Sequence, residues 1–341
     1  MSSLLSKILG CLFLPLLTLT ISPLLAQENR LSSNATEDSL VDAGGHKLHF
    51  NVQGRGSPIV ILESGSADFS FIWSLVQPEV AKFTQVVSYD RAGYAWSEPG
   101  PVPRTSKQIC FELHTALKNL GLTGPYILVG QSFGGFLVRN FARYYPEEVA
   151  GMVLVDAIQE NQPIFMGGDT PKLIRELAKG RETPSVITFF KSDSVNAIVQ
   201  PLKFEGNLEY PLTKLPIKIQ KQQIIAQAQP GYPLAVMAEM DWSPEDVNDL
   251  FKHQGEPDYL LGNKPLIVIT RGKGGYDGRK DSLALETERL QAQLKLTSLS
   301  TNSKHIIDAK SGHNIHLEDP QTVIKAIQEI VNAYQYDQKL R

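Results

Sequence analysis

The apolar residues of this 341-residue chain occur either in short continuous runs or at helical spacing. A run of about four to eight aliphatic and β-branched residues between turn signals is typical of a buried strand, whereas apolar residues three and four positions apart predict a helix. The two earliest segments alternate apolar with polar residues, as strands with one exposed face do. The predicted strands cover residues 38–42, 46–53, 58–65, 84–93, 126–129, 151–157, 264–272 and 304–310.

Helical spacing fills most of the intervals between these strands. The predicted helices cover residues 70–82, 106–122, 136–145, 282–296 and 320–334. Strands that alternate with helices and are apolar on both faces belong to a parallel sheet with helices on each side. The pattern therefore predicts an α/β fold, with a mostly parallel eight-stranded sheet covered on both faces, built from residues 38–157 and 264–338.

Residues 158–263, between two predicted core strands, differ from the rest of the chain in composition. They are rich in Gln, Lys and Glu, and helical spacing recurs at about 171–180 and 214–240. A helical insertion at this place would cover the carboxyl ends of the strands, where α/β proteins bind ligands. We therefore expect a helical cap, or lid, with Met237 and Met240 among the residues that set substrate preference. An independent second domain is the alternative.

The N-terminal segment differs from the rest of the chain. One Lys precedes an apolar run from Ile8 to about Leu25, and the polar sequence QENRLSSNATEDS follows Ala26. This layout predicts a secretory signal peptide over residues 1–26 and a flexible leader over 27–37, so the mature protein would be secreted or periplasmic. The alternative is an uncleaved membrane anchor, because about 18 apolar residues is the lower limit for a span.

Composition narrows the classes of function. Hydrophobic residues make up 42% of the chain, charged residues 20%, and the formal net charge is −3. Without a stripe of Lys and Arg, nucleic acid is not an expected partner. Cys110, the one cysteine left after cleavage, cannot form an internal disulfide and is predicted to lie in the core. The sequence has no metal-ligand spacing and no phosphate-binding glycine loop, so we expect a small-molecule substrate and no cofactor, metal or obligatory protein partner.

The candidate chemistry begins at Ser132, the centre of the sequence GQSFG at residues 130–134. The motif lies between a predicted strand and a predicted helix, which is the setting of the strained turn that exposes a nucleophilic serine. A small residue in a glycine-rich turn is the alternative. Because a serine hydroxyl needs a base within hydrogen-bond reach, the histidines come next. His313 is the candidate, in the loop after the last predicted strand, and His316 is its rival.

Three stretches of this chain, GQSFGG, SYDRAGYAWSEPGP and SGHNIHLEDP, resemble the α/β-hydrolase superfamily. The resemblance spans about residues 38–338 outside the insertion. It implies that Ser132 is the nucleophile and that His313 is the base, with His316 structural. The chain departs from many relatives at Gln131, where they have histidine.

The resemblance also implies where the oxyanion of the reaction would be held. One donor would be the backbone N–H of Phe133, directly after the nucleophile. The second would be the backbone N–H of Ser66, after Ser64-Gly65, where many relatives have a His-Gly pair. Further along, Asp90 and Arg91 are interpreted as loop scaffold, with Tyr94 and Trp96 as candidates to line the pocket.

The acid of the triad has three candidates. The usual place in the superfamily, the loop after the strand at 264–272, offers Asp277 and Asp281, but one stands in a turn signature and the other at a helix N-cap. Asp156 ends the preceding predicted strand, and because adjacent strands lie about 4.8 Å apart its carboxylate can reach His313. We expect Asp156 to be the acid, since a strand end holds a carboxylate more rigidly than a Gly-rich loop.

These expectations describe an exported serine hydrolase that cleaves carboxylic esters through an acyl-enzyme. The ester is favoured because esterases and lipases are the commonest superfamily members with this layout. An amidase, peptidase, thioesterase or C–C bond hydrolase would use the same triad. Dehalogenases and epoxide hydrolases of the superfamily carry Asp where Ser132 stands. A ligand-binding protein that keeps the fold without turnover is the alternative from another class.

Overall fold

A computed structural model of the chain describes residues 37–164, 172–173, 208–252 and 260–340. The predicted signal peptide, 1–26, lies outside these residues, and so does the leader up to residue 36. Most of the helix expected at 171–180 also lies outside them. Among the residues described, none of the helices is both long and apolar enough to span a membrane.

The strands predicted from the apolar runs form one mixed sheet. They are β1 Glu37–Asp42, β2 Lys47–Gln53, β3 Ile59–Glu63, β4 Val86–Tyr89, β5 Tyr126–Gln131, β6 Val149–Val155, β9 Leu266–Arg271 and β10 Ser303–Asp308, and the two-residue strands β7 Pro163–Ile164 and β8 Lys172–Leu173 pair separately. The order across the sheet is β1-β2-β4-β3-β5-β6-β9-β10. Only the pairs β1–β2 and β2–β4 of this sheet are antiparallel. The predicted mostly parallel, eight-stranded sheet is confirmed.

Helices connect the parallel strands. They are α1 Gln77–Val80, α2 Ser106–Asn119, α3 Phe133–Tyr144, α4 Ile217–Gln227, α5 Tyr232–Lys252, α6 Ser282–Lys295, α7 Ile315–Glu318 and α8 Pro320–Gln335. The helix predicted at 70–82 is instead a 3-10 turn, Ser70–Trp73, followed by α1. Pro78 explains the break, because in a continuous helix its ring would collide with the carbonyl of Ser74.

Each face of the sheet carries its own apolar core. Alternate residues of a strand point to opposite faces, so Leu128 shares a core with Cys110 from α2 and Phe141 from α3, while Val129 shares the other core with Ile327 from α8. Cys110 is buried, as predicted from the sequence. The sheet is thus held rigidly between two helical layers.

The parallel strands deliver their carboxyl ends to one edge of the sheet, and the predicted site residues lie there. Ser132 follows β5, Asp156 follows β6, and His313 lies in the loop between β10 and α7. Helices α4 and α5 belong to the insertion at 158–263. That this insertion acts as a lid stays a prediction.

Candidate active site

Ser132 lies in a sharp turn between β5 and α3, with φ 53° and ψ −119°. A side chain rarely adopts this left-handed backbone, so surrounding contacts must hold it there. Two glycines allow the turn, because a Cβ on Gly130 would come within 2.5 Å of Gly134 O, and a Cβ on Gly134 within 2.4 Å of Glu63 O. The local sequence therefore folds as the strained turn predicted for a nucleophilic serine.

Backbone hydrogen bonds fix the turn from both sides. The Ser132 N–H donates to Val155 O at 3.1 Å, and the Ser132 carbonyl accepts from Gly135 N at 3.0 Å and Ile158 N at 3.0 Å. These bonds tie the turn to β6, to α3 and to the chain leaving β6. The strained conformation is thereby determined by its neighbours rather than by Ser132 itself.

The structure places His313 beside Asp156. His313 Nδ1 lies 2.6 Å from Asp156 Oδ2. Asp156 is the first residue after β6 and also has a positive φ, 41°. Its N–H donates to Ile269 O at 2.7 Å, which anchors this backbone to β9. The carboxylate is buried, whereas the imidazole is partly exposed.

Three further donors hold the Asp156 carboxylate. Arg271 donates from its backbone N–H at 3.2 Å and from Nη1 at 3.1 Å, and Arg289 Nη1 donates at 3.2 Å. Burial opposes ionisation of Asp156, but the His313 hydrogen bond and the charges of His313, Arg271 and Arg289 outweigh it and lower the pKa of this carboxyl. Asp156 is therefore an anion that orients the imidazole.

The other candidate acids lie elsewhere. Asp277 is exposed in the loop after β9, with its carboxylate beside Gly274. Asp281 is exposed at the N-cap of α6 and pairs with Arg279 Nε at 3.0 Å. The structure does not bring either carboxylate to His313.

His316, the rival base, is fully buried on α7, where its ring packs against Trp73 with centroids 4.8 Å apart. In the described part of the chain, neither of its ring nitrogens has a hydrogen-bond partner. Burial, reinforced by the charge of His313, lowers the pKa of His316 to about 3, so it stays neutral at physiological pH. His316 therefore fills space in the core beside Trp73.

Gln131 is also part of the site. From the sequence it is only a position at which many relatives have histidine. Its Nε2 lies 3.3 Å from His313 Nε2 and 3.3 Å from His313 O. With the Nδ1 proton donated to Asp156, Nε2 carries the lone pair of the neutral ring. Within the described residues, no hydrogen bond joins Ser132 Oγ to His313. Gln131 thus occupies the nitrogen that a general base would use.

A cavity of about 350 Å³ opens over these residues. Its wall includes Ser66, Asp68, Tyr210 and Leu212, together with Gln131, Ser132 and His313. The loop that carries Ser66 comes close to the strained turn at Ser132, since a Cβ on Gly65 would lie 3.4 Å from Ser132 Cβ. Phe133 begins α3 on the other side of Ser132, so the two predicted oxyanion donors belong to neighbouring backbone segments.

Asp68 adds a carboxyl to the cavity wall that the sequence did not single out. Burial raises the pKa of Asp68 to about 6, against the opposing charges of His313 and Arg91. In the part of the chain that the structure describes, no group of three His, Cys, Asp or Glu residues is placed to hold a metal ion.

Four residues that the sequence offered for the pocket, Met237, Met240, Tyr94 and Trp96, are not among those that line this cavity. Met237 and Met240 on α5 are 67% and 53% exposed, and that they set substrate preference stays a prediction. They point outward because the inner face of α5 is taken by Tyr232, Ala235 and Val236, which pack on Tyr94 and its neighbours. Tyr94 is itself fully buried beneath that helix.

The chain matches the family model for the alpha/beta hydrolase fold over residues 58–320. It therefore belongs to the alpha/beta hydrolase family. An AB hydrolase superfamily protein from Gibberella zeae is 23% identical over 295 residues, which are 80% of this chain and 86% of that protein.

Solved structures share the fold at low sequence identity. The epoxide hydrolase CorEH, without ligand, superposes with a TM-score of 0.59 at 18% identity, covering 88% of this chain and 98% of that one. A thermophilic esterase from Thermogutta terrifontis gives a TM-score of 0.58 at 20% identity, covering 87% and 99%. The family indicates a hydrolase.

Proposed function

We propose that this protein is an exported serine hydrolase that cleaves carboxylic esters through an acyl-enzyme. The observation that carries the proposal is the 2.6 Å contact between His313 Nδ1 and Asp156 Oδ2 at the strand ends next to the strained Ser132 turn. A buried carboxylate that fixes one imidazole nitrogen leaves the other free to accept a serine proton.

The proposed reaction has two steps. Substrate would displace the Gln131 amide from His313 Nε2, and Ser132 Oγ would then attack the ester carbonyl while Nε2 takes its proton. The backbone N–H groups of Phe133 and Ser66 would hold the oxyanion, and the protonated imidazole would return its proton to the leaving alcohol. Water activated by His313 would release the acid and regenerate the serine.

The similar solved structures include both an esterase and an epoxide hydrolase, so the fold alone does not distinguish the two chemistries. The identity of the nucleophile does. Epoxide hydrolases of the superfamily have Asp at the nucleophile position, where this chain has Ser132. An ester is therefore the favoured substrate. Amide, thioester and C–C bond cleavage by the same residues are the competing activities.

A fluorophosphonate probe and a substrate panel test the proposal. We expect the probe to label the wild type and the Ser298→Ala control, whose changed serine is exposed and distant in sequence, but not Ser132→Ala. p-Nitrophenyl esters of increasing chain length should turn over faster than matched amides and thioesters. Labelling of Ser132→Ala at the wild-type rate would remove Ser132 from the mechanism. Labelling of the wild type without turnover of any substrate would favour the ligand-binding alternative.

Export is a separate part of the proposal and rests on the sequence of residues 1–26. The apolar run that ends in Ala26 supports cleavage after this residue. We expect the intact mass of the protein recovered outside the cytoplasm to correspond to a chain beginning at Gln27. A recovered mass that includes residues 1–25 would indicate an uncleaved anchor.

A further inference from the structure

Arg91, two residues beyond β4, uses every N–H of its guanidinium. It is 2% exposed, and two of its donors go to backbone carbonyls of the loop after β3. Nη1 donates to Ser64 O at 2.9 Å, and Nη2 donates to Gly65 O at 2.8 Å. Arg91 therefore binds the same loop that carries Ser66.

The other three donors go to two buried carboxylates. Nη1 donates to Glu63 Oε1 at 2.8 Å, at the end of β3. Nε and Nη2 donate to Glu239 Oε1 and Oε2 at 2.8 and 3.2 Å, in the middle of α5. Tyr94 donates a further bond to Glu239 Oε2 at 2.7 Å. A single guanidinium thus joins the insertion helix α5 to the loop at residues 64–66.

The geometry of one peptide unit makes this contact relevant to the proposed reaction. Gly65 O and the N–H of Ser66 belong to the same planar peptide, and in a trans peptide they point in opposite directions. When Arg91 holds Gly65 O, it fixes the direction of the Ser66 N–H on the other side. The Asp68 N–H also donates to Gly65 O, at a longer 3.3 Å.

We propose that Arg91 is a positioning residue that couples helix α5 to residues 64–66, which we call the oxyanion loop. When Glu239 binds Arg91, the Ser66 N–H is held in its orientation. The role of that N–H rests on the proposed function, but the coupling between α5 and the loop does not depend on it. Release of Glu239 would leave Arg91 with fewer acceptors and the Gly65–Ser66 peptide with a less rigidly held donor. Helix α5 would then control the orientation of the oxyanion loop without contacting substrate.

A second buried pair supplies a matched control. Arg104 Nη2 donates to Glu112 Oε2 at 2.8 Å, both side chains are buried, and Nη1 bonds the other carboxylate oxygen. The pair joins residue 104 to α2 and, within the described residues, makes no hydrogen bond to residues 64–66. Changes in Arg104 or Glu112 therefore reproduce the cost of disturbing a buried ion pair without touching the oxyanion loop.

Hydrogen exchange of the full-length protein tests the coupling without any substrate. In Glu239→Gln we expect amides of α5 and of residues 64–66 to exchange about tenfold faster, because local opening of both segments becomes easier. Glu112→Gln should leave residues 64–66 unchanged. Tyr94→Phe, which removes one bond to Glu239, should produce a smaller increase in the same two segments and serves if Glu239→Gln does not fold. Faster exchange in α5 alone, or an equal effect of Glu112→Gln at residues 64–66, would overturn the proposal.

Kinetics with the best p-nitrophenyl ester provide the second arm. Lysine offers three donors on one nitrogen and cannot reach both loop carbonyls and both Glu239 oxygens. Arg91→Lys should therefore lower kcat by about 10² with little change in KM, as loss of an oriented oxyanion donor does. Arg104→Lys should keep kcat within about threefold at a similar loss of thermal stability. Equal losses of kcat in the two variants would contradict positioning. If the wild type hydrolyses no ester, the proposed function fails while the exchange arm still decides the coupling.

Discussion

Asp156 is the residue on which the proposed chemistry depends most directly after Ser132 and His313. Its carboxylate accepts from the His313 ring, from Arg271 and from Arg289. We expect Asp156→Asn to lower kcat by up to about 10⁴, because an amide no longer favours the tautomer with a free Nε2. Asp277→Asn should stay near the wild type, since that side chain is exposed and makes no hydrogen bond to His313 among the described residues. Steady-state kinetics on one ester measure both.

The Asp156 variant needs a folding control, because removing the charge leaves the buried Arg271 and Arg289 with only Glu286, in the described part of the chain, as a carboxylate partner. Asparagine accepts a left-handed backbone, so φ 41° at this position does not itself prevent folding. Thermal melts should show a folded but less stable protein. A folded Asp156→Asn with wild-type kcat, together with an impaired Asp277→Asn, would assign the acid to the later loop.

At the scale of elements, the apolar pattern predicted all the strands of the main sheet, because burial on both faces leaves a strong local signal. Boundaries were less well predicted. The strand expected at 84–93 ends at Tyr89, since Asp90 and Arg91 turn to bond other segments. The helix expected at 70–82 divides at Pro78 for a steric reason that the sequence already contained.

Contacts between distant elements could not be predicted in the same way. Ser132, His313 and Asp156 followed from a local motif and from strand ends, but Arg91 and Glu239 are 148 positions apart and belong to no shared motif. The sequence also does not indicate which side of α5 faces the core, because methionine fits either face. Gln131 was visible next to Ser132, yet nothing in its sequence context indicated a contact with His313 Nε2.

At the scale of the whole molecule, buried acids make the stability of the fold depend on pH. Burial raises the pKa of Glu63 from 4.5 to about 6, although Arg91 and a hydrogen bond from Tyr89 oppose the shift. The folded state therefore binds a proton more readily than the unfolded state. The cost of the buried charge is present in full above about pH 6 and is lost progressively as the pH falls from about 6 to 4.5. Asp156 acts in the opposite sense, because its stabilisation is present above 3.8 and lost as pH falls through its lowered folded pKa.

We expect the Glu63 contribution to raise the free energy of unfolding by about 1 kcal/mol between pH 7 and pH 5. Urea unfolding at the two pH values measures it as the difference between the wild type and Glu63→Gln, which should lack this gain. Glu147→Gln, a change at an exposed carboxyl, is the control and should retain it. An identical pH dependence for Glu63→Gln and the wild type would show that Glu63 titrates normally in the fold.

The carboxylate that contacts His313 comes from the end of β6, and this has a consequence for how the protein can diverge. In this arrangement the segment from Gly272 to Asp281, after β9, holds no group that the proposed chemistry uses. Substitutions at its exposed positions, such as Asp277, would therefore leave the reaction centre undisturbed. This loop can then vary, while Ser132 and Asp156 remain at strand ends that the sheet holds in place.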